Sequence, residues 1–160
     1  MLGKHHELRV TKSERSVDAE SFIRAAKSIL ENEYGCTVEL FVDTLCMENT
    51  SFSPEYMTQA LSLLATFARS GRSARIKFAL EGEQLTITAT APESICASSL
   101  KGSLLAESSA DLGDFSYSVE SISGKVTTVV KIRLKKCAAI ALYAISKNEL
   151  TVLIRKLIDG

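Results

Sequence analysis

Two stretches in which apolar residues recur at every second position constrain the fold of this chain more than any other feature. Residues 74–80 (ARIKFAL) and 85–91 (LTITATA) are separated by the four residues EGEQ. Alternation with a period of two gives a strand one apolar face and one polar face, and a short glycine-containing connection turns the chain back on itself. The two stretches therefore predict a β-hairpin with one buried face.

A second hairpin is predicted toward the end of the chain. Residues 119–134, VESISGKVTTVVKIRL, contain Gly124 between two runs of alternating character, which is typical of two strands joined by a turn. A plain hairpin requires neither Ser121 at the end of its first strand nor the Gly-Lys-x-Thr-Thr run that enters its second. We expect its inner face to be formed by Phe115, Tyr117, Val119, Val126, Thr128, Val130, Ile132 and Leu134.

Three helices are marked by residues that favour helix ends. The first is predicted to begin after Asp18, a favourable N-cap, and to end at Gly35. Ser53 as a cap and Pro54 at the first helical position mark the start of the second. Residues 146–149 (SKNE) form a capping box before a third apolar run at helical spacing.

Together these elements predict an α+β fold, a two-layer α/β sandwich in which a mixed, mostly antiparallel sheet carries its helices on one face. A further strand is expected at 37–42 and a weak helix near 100–106. At 160 residues the chain has the length of one domain, which we place at 17–135. An N-terminal arm, 1–16, precedes it, and an apolar extension, 136–160, follows and is expected to be helical.

Composition argues against several classes of protein. The 19 basic and 19 acidic residues give a net charge of zero, whereas a dedicated nucleic-acid binder carries a basic excess. No apolar run approaches the length of a membrane span, and the N-terminus lacks the apolar core of a signal peptide, so we expect a cytoplasmic location. Four scattered cysteines and only two histidines offer little with which to build a metal site.

The order of elements and the second hairpin resemble the ATP-binding domain of histidine kinases, in the GHKL family of ATPases. In that family the last hairpin has the outline V-x-S-x-x-G-x-G-T-x-F, which residues 119–129 (VESISGKVTTV) follow. Residues 59–68 (QALSLLATFA) fall where the family has its asparagine-bearing helix, Q-x-L-x-N-L-x-x-N-A. Residues 85–91 fall on the strand that leads into the family's D-x-G-x-G loop. The resemblance implies the histidine-kinase ATPase-like form of the sandwich.

The departures from the family pattern fall on the nucleotide site. The two family asparagines, the second of which holds magnesium, correspond to Leu63 and Phe67. The aspartate that bonds the adenine amino group corresponds to Ala91, and the next glycine corresponds to Glu93. The G-x-G-L-G-L phosphate loop is not found near residues 102–105. Apolar side chains cannot ligate magnesium, so the resemblance implies a degenerate site with no cofactor and no metal.

We therefore expect a non-catalytic signalling or protein-interaction module, a pseudokinase of two-component signalling, because phosphoryl transfer depends on positioning and metal electrostatics. Two other interpretations stay open. One is a divergent ATP-binding domain that uses Glu93 for adenine and Asn49 or Glu48 for magnesium. The other is an unrelated α+β binding module.

Two groups of residues are candidates for contact with a signalling partner. Residues 6–9 (HELR) resemble the core of the phospho-acceptor box of histidine kinases, which makes His6 a possible phospho-acceptor. A basic cluster near the last strand could attract an acidic partner such as a response regulator or a sensor-kinase component, although lysines also protect an edge strand. The cluster consists of Lys131, Arg133, Lys135 and Lys136.

The apolar C-terminal extension is the part of the chain that the family resemblance does not cover. Leu150 and Ile154 recur in it at helical spacing. Either the extension packs within the same chain over the vacated nucleotide side of the sheet, or it forms a homodimer or partner interface, and we favour packing within the chain because large exposed apolar patches are rare. The row Thr86, Thr88 and Thr90 is expected to form the solvent face of a strand rather than a binding surface.

Overall fold

The computed structural model describes residues 15–43, 50–93, 108–136 and 144–160. These residues form three α-helices, a 3₁₀ turn at Gly71–Ser73 and nine strands. The helices are α1 (Ala19–Tyr34), α2 (Pro54–Arg69) and α3 (Lys147–Asp159). The strands are β1 (Val17–Asp18), β2 (Thr37–Val42), β3 (Thr50–Phe52), β4 (Arg75–Glu81), β5 (Gln84–Pro92), β6 (Ser108–Asp111), β7 (Phe115–Ile122), β8 (Lys125–Arg133) and β9 (Lys135–Lys136).

The main sheet contains six strands in the order β2-β4-β5-β8-β7-β6. Only β2 and β4 are parallel, and every other neighbouring pair is antiparallel. Both hairpins form with the expected alternation, β4 with β5 and β7 with β8. The α+β fold with a mixed, mostly antiparallel sheet is therefore confirmed.

The helix ends follow the signals in the sequence. The carboxylate of Asp18 accepts a hydrogen bond from the backbone N–H of Ser21, and Gly35 ends α1 in the left-handed conformation at φ 75°. The hydroxyl of Ser53 caps α2, and that of Ser146 accepts from the N–H of Glu149 at the start of α3.

Helices α1 and α2 pack on one side of the main sheet, here called the covered face. The ring of Phe22 on α1 meets Phe78 on β4 edge to face, with centroids 6.1 Å apart. On α2, Tyr56 stacks on Phe115 of β7. The covered-face residues of the second hairpin are those expected from the sequence, and all are buried except the half-buried Tyr117. The opposite side, here called the open face, carries polar side chains such as the half-buried Thr88.

The described part of the C-terminal extension packs within the chain as helix α3, but its main contacts are with α1 and α2 and not, as expected, with the nucleotide side of the sheet. Its ends are joined to the rest of the chain by polar contacts. Near its start Glu149 pairs with Arg15 at 2.7 Å, and near its end Arg155 pairs with Glu33 at 2.8 Å. The Tyr34 hydroxyl also hydrogen-bonds the carboxylate of Asp159.

Four short strands were not expected from the sequence: β6, at one edge of the main sheet, and three others outside it. β1, β3 and β9 form a second antiparallel sheet in which β3 is central. Segments of two or three residues are too short to show a period, so only their partners in the fold define them. The weak helix expected near 100–106 lies outside the described residues. Within the described ranges, no helix is long and apolar enough to cross a membrane.

Candidate functional site

Two of the positions that the resemblance assigns to a nucleotide site, Phe67 and Ala91, lie toward one end of the covered face. Helix α2 starts where Tyr56 stacks on Phe115, with centroids 5.4 Å apart. At its other end, Cys36, which directly precedes β2, has its Sγ 4.0 Å from the carbonyl oxygen of Phe67. Across β4, the start of β2 lies level with the end of β5. Phe67, whose carbonyl group lies near Cys36 at the start of β2, is therefore toward the same end of the sandwich as Ala91, which is near the end of β5.

Three strands bring the key positions of the last hairpin into one row. Ala91 on β5 faces Val126 on β8, and Val126 faces Ser121 on β7. By the resemblance, Ala91 corresponds to the family's adenine-binding aspartate and Val126 to the glycine before its hairpin threonine. Ala91 and Val126 are each 1% exposed, whereas Ser121 is half-buried. This row of the site therefore has an apolar floor.

Helix α2 supplies the other two site positions, and both are apolar. Phe67 is 2% exposed and belongs to the hydrophobic core, while Leu63 is half-buried and packs against it. A phenyl ring in this place offers no oxygen to a hard cation such as Mg²⁺.

Glu93 is the one charged residue among the site positions. Its side chain is exposed, and its backbone N–H donates to the carbonyl oxygen of Gly124 at 2.8 Å, which ties the end of β5 to the turn of the second hairpin. Glu93 thus lies at the rim of the candidate site, whereas Ala91 is buried in its floor. Glu48, Asn49 and residues 102–105 lie outside the described residues.

Cys36 is a buried residue at this end of the fold that the sequence did not single out. Its thiol contacts the carbonyl oxygens of Phe67 and Ala68 at 4.0 and 3.8 Å. Burial raises the pKa of the thiol to about 11, so the thiolate is scarce at neutral pH. Cys36 is therefore a packing residue and a poor nucleophile. A lone cysteine has no periodic signal in the sequence that would have revealed its location.

The basic residues near the last strand do not form one patch. Lys131 and Arg133 extend from the open face into a polar cleft of about 510 Å³. Three carboxylates, those of Glu83, Asp111 and Asp114, line the same cleft and offset the two cations. Lys135 and Lys136 belong to β9 and pair with β3 in the second sheet. All four basic side chains are exposed.

The apolar candidates for an interaction surface are not on the surface. Leu150 is 1% exposed and Ile154 is fully buried, because α3 directs both into the core it shares with α1 and α2. An interface built on these two residues is therefore incompatible with this fold. His6 lies outside the described residues.

A second concavity lies between α1 and α3. It has a volume of about 420 Å³ and is lined by Glu20, Ser21, Arg24, Ala25, Lys147, Leu150 and Thr151. Glu20 and Arg24 pair with each other across one helical turn at 3.1 Å. Among the described residues there is no group of three His, Cys, Asp or Glu side chains that could hold a metal ion.

Comparison with known proteins gives matches only among solved structures. No protein-family model matches the sequence, and no curated protein does. The histidine kinase AdeS of Acinetobacter baumannii is similar over 82% of this chain and 76% of its own, with a TM-score of 0.43 and 8% identity. The catalytic domain of histidine kinase ThkA is similar over 74% of this chain and 93% of its own, with a TM-score of 0.40 and 10% identity.

The cytoplasmic segment of histidine kinase QseC is also similar, over 72% of this chain and 74% of its own, with a TM-score of 0.41 and 14% identity. These structural neighbours are histidine kinases, the family that the sequence resembles. These similarities assign neither a family nor an activity to this chain.

Proposed function

We propose that this chain is a non-catalytic signalling or protein-interaction module built on a degenerate histidine-kinase ATPase-like domain. The observation that carries the proposal is that Phe67 and Ala91 are 2% and 1% exposed and belong to the hydrophobic core. These are the positions at which the family holds magnesium and adenine. In this chain they stabilise the fold.

The chemistry of these positions disfavours nucleotide binding. An adenine amino group that faced the methyl group of Ala91 would lose its hydrogen bonds to water and gain none, at a cost of about 1–3 kcal/mol. Phosphates beside Phe67 would lack the oxygen ligands through which a protein positions Mg²⁺. Displacing the ring of Phe67 to make room would cost about as much as a large core truncation, roughly 3–5 kcal/mol.

Thermal unfolding with and without saturating Mg-ATP or Mg-ADP tests the proposal. A ligand present at a hundredfold its Kd adds about 2.7 kcal/mol to the free energy of unfolding. We expect no change in Tm on addition of either nucleotide with magnesium. A reproducible rise of several degrees would contradict the proposal.

The same measurement on Glu93→Gln addresses the alternative of a divergent ATP-binding domain. The Glu93 side chain is exposed at the rim of the site, where it could accept a hydrogen bond from an adenine amino group. If the parent protein is stabilised by Mg-ADP and the variant is not, the divergent pocket is the correct interpretation. An unchanged Tm in both proteins supports the non-catalytic module.

For the partner, we propose an acidic protein surface of two-component signalling, such as a response-regulator receiver domain. The support is that Lys131, Arg133, Lys135 and Lys136 are exposed and make no ion pair within the described ranges. Because carboxylates share the cleft with Lys131 and Arg133, the more strongly positive part of this basic surface is formed by Lys135 and Lys136 in the second sheet.

Binding of purified receiver domains, followed by fluorescence anisotropy, tests the partner. We expect Lys135→Glu with Lys136→Glu to weaken binding at least roughly tenfold, since like charges across an interface are strongly unfavourable. Arg75→Glu is the matched control, because Arg75 is exposed on β4, outside the second sheet. Equal losses in both variants would show a nonspecific charge effect and contradict the assigned surface.

A further inference from the structure

The main sheet ends in two edge strands of different character. β6 is four residues long and polar, with the sequence SSAD. β2 is six residues long, and its sequence TVELFV contains only one charged residue. Short, polar edges protect a sheet from pairing with another chain, whereas a longer apolar edge invites it. The β2 edge therefore lacks the protection that β6 has.

The hydrogen bonds of β2 to β4 show which backbone groups face outward. The N–H of Thr37 donates to the carbonyl of Ala74 at 3.1 Å, and the N–H of Asp43 donates to that of Leu80 at 2.9 Å. In a parallel ladder, residues two apart point the same way, so the odd-numbered residues of β2 point their backbone groups at β4. The N–H and C=O groups of Val38, Leu40 and Val42 point away from the sheet.

The side chains at this edge are only partly covered. Leu40 and Val42 are half-buried although they lie on the covered face, and Phe41 on the open face is 47% exposed. In the part of the chain that the structure describes, no strand pairs with the outer side of β2. The edge thus combines outward-facing backbone groups with incompletely covered apolar side chains.

We propose that β2 pairs in antiparallel orientation with β2 of a second copy of this chain, about a two-fold axis at Leu40. The two main sheets then form one continuous sheet. In this register Val38 of each copy faces Val42 of the other, and the two Leu40 residues face each other. These three pairs are hydrogen-bonded pairs of an antiparallel ladder, because all their backbone groups point outward.

The side chains favour a second copy of this chain as the strand that pairs with β2, because β2 is complementary to itself in this register. On the covered face all the opposing pairs are apolar. On the open face Glu39 of each copy lies opposite Phe41 of the other, so no two carboxylates face each other. Within each copy Glu39 is also the neighbour of Lys77 on β4, which moderates its charge.

The two adjacent registers are less favourable. Sliding the second strand by two residues in one direction places Glu39 opposite Glu39 of the other copy. Sliding it in the opposite direction places Glu39 opposite Asp43. Like charges directly opposite each other destabilise a strand pair, so both slips are disfavoured.

A charge series at Phe41 tests the dimer and its register in the full chain. Phe41→Glu places a second carboxylate opposite Glu39 in each half of the interface, and we expect the dimer Kd to rise at least roughly tenfold. Phe41→Lys places an ammonium group opposite Glu39, so this variant should remain dimeric. The double variant Glu39→Lys with Phe41→Glu places the ammonium group at position 39 opposite the carboxylate at position 41, so it should restore the dimer. Sedimentation over a wide concentration range gives each Kd.

Leu112→Glu is the control for surface charge, because Leu112 is 62% exposed and directly follows β6 at the other edge. It should leave the dimer Kd unchanged. Because Phe41 and Leu112 are both exposed, neither substitution should unfold the monomer. Circular dichroism of each variant as a monomer therefore distinguishes loss of pairing from loss of folding.

Amide hydrogen exchange supplies a second readout that does not depend on substitution. In the monomer we expect slow exchange at residues 39 and 41 and fast exchange at residues 38, 40 and 42. As the protein concentration rises, dimerisation should slow the exchange at residues 38, 40 and 42. A protein that stays monomeric at high concentration, or a dimer that Phe41→Glu does not weaken, would overturn the proposal. Dissociation by Phe41→Glu and Phe41→Lys alike would overturn the register.

Discussion

The two faces of the main sheet come from the same strands but differ sharply in chemistry. On the covered face Phe78, Ile87 and Val130 are completely buried under the helices. On the open face Lys77 and Thr88, their neighbours along the strands, are exposed and half-buried. The covered face therefore accounts for the stability of the fold, and the buried Ala91 belongs to it. Contacts with other molecules are expected on the open face and at the edges of the sheet.

The largest effect expected from this comparison is on α3, which buries one side against α1 and α2, the two helices that lie on the covered face. Ile154→Ala should lower the free energy of unfolding by about 2–5 kcal/mol, because Ile154 is fully buried and the cavity that remains cannot close completely. Val152→Ala is the matched control on the same helix, where Val152 is 60% exposed, and it should change stability by less than about 0.5 kcal/mol. Urea unfolding measures both.

Equal effects of the two alanine variants would contradict the packing of α3 on α1 and α2. A large effect of Val152→Ala alone would indicate that the outer side of α3 is buried in a complex.

A loss of stability of intermediate size is expected at alkaline pH, because two groups with raised pKa values, Tyr34 and Cys36, lie at the end of α1 and just after it. Burial, together with the hydrogen bond to Asp159, raises the pKa of Tyr34 to about 12, and burial raises that of Cys36 to about 11. Each group favours its protonated form in the folded state. Its contribution to the free energy of unfolding is complete below the pKa of the unfolded state, about 10 for Tyr and 8.5 for Cys. The contribution is lost as pH rises through the pKa of the folded state.

Urea unfolding between neutral pH and about pH 12 should therefore show a decline in stability that begins above about pH 9. Tyr34→Phe should show a smaller decline in the upper part of this range, because it removes one of the two titrations. An identical profile for both proteins would contradict the role of Tyr34 in holding α3 to α1.

The smallest effect concerns two threonines on neighbouring strands that point to opposite faces. Thr128→Val should cost about 1 kcal/mol, because the buried hydroxyl of Thr128 donates to the carbonyl oxygen of Ser118 at 2.9 Å. Thr88→Val on the open face should change stability by no more than about 0.5 kcal/mol. Urea unfolding of the two variants, compared with the parent protein, measures the difference. A larger loss from Thr88→Val would indicate that the open face is covered.

The sequence by itself determined the hairpins and the helix starts. Alternation places Phe78 and Ile87 on one face, and a cap such as Asp18 acts within one turn of its helix, so local residues suffice. The substitutions at Phe67 and Ala91 are likewise visible without a structure.

Only the tertiary structure decided how distant segments meet. It placed α3 between α1 and α2, which buried Leu150 and Ile154, and it made β2 an edge strand through its parallel pairing with β4. It also separated Lys131 and Arg133, beside their carboxylates, from the lysines of β9. These features depend on contacts between residues far apart in the chain, and a local pattern carries no information about which distant partner will cover a given face.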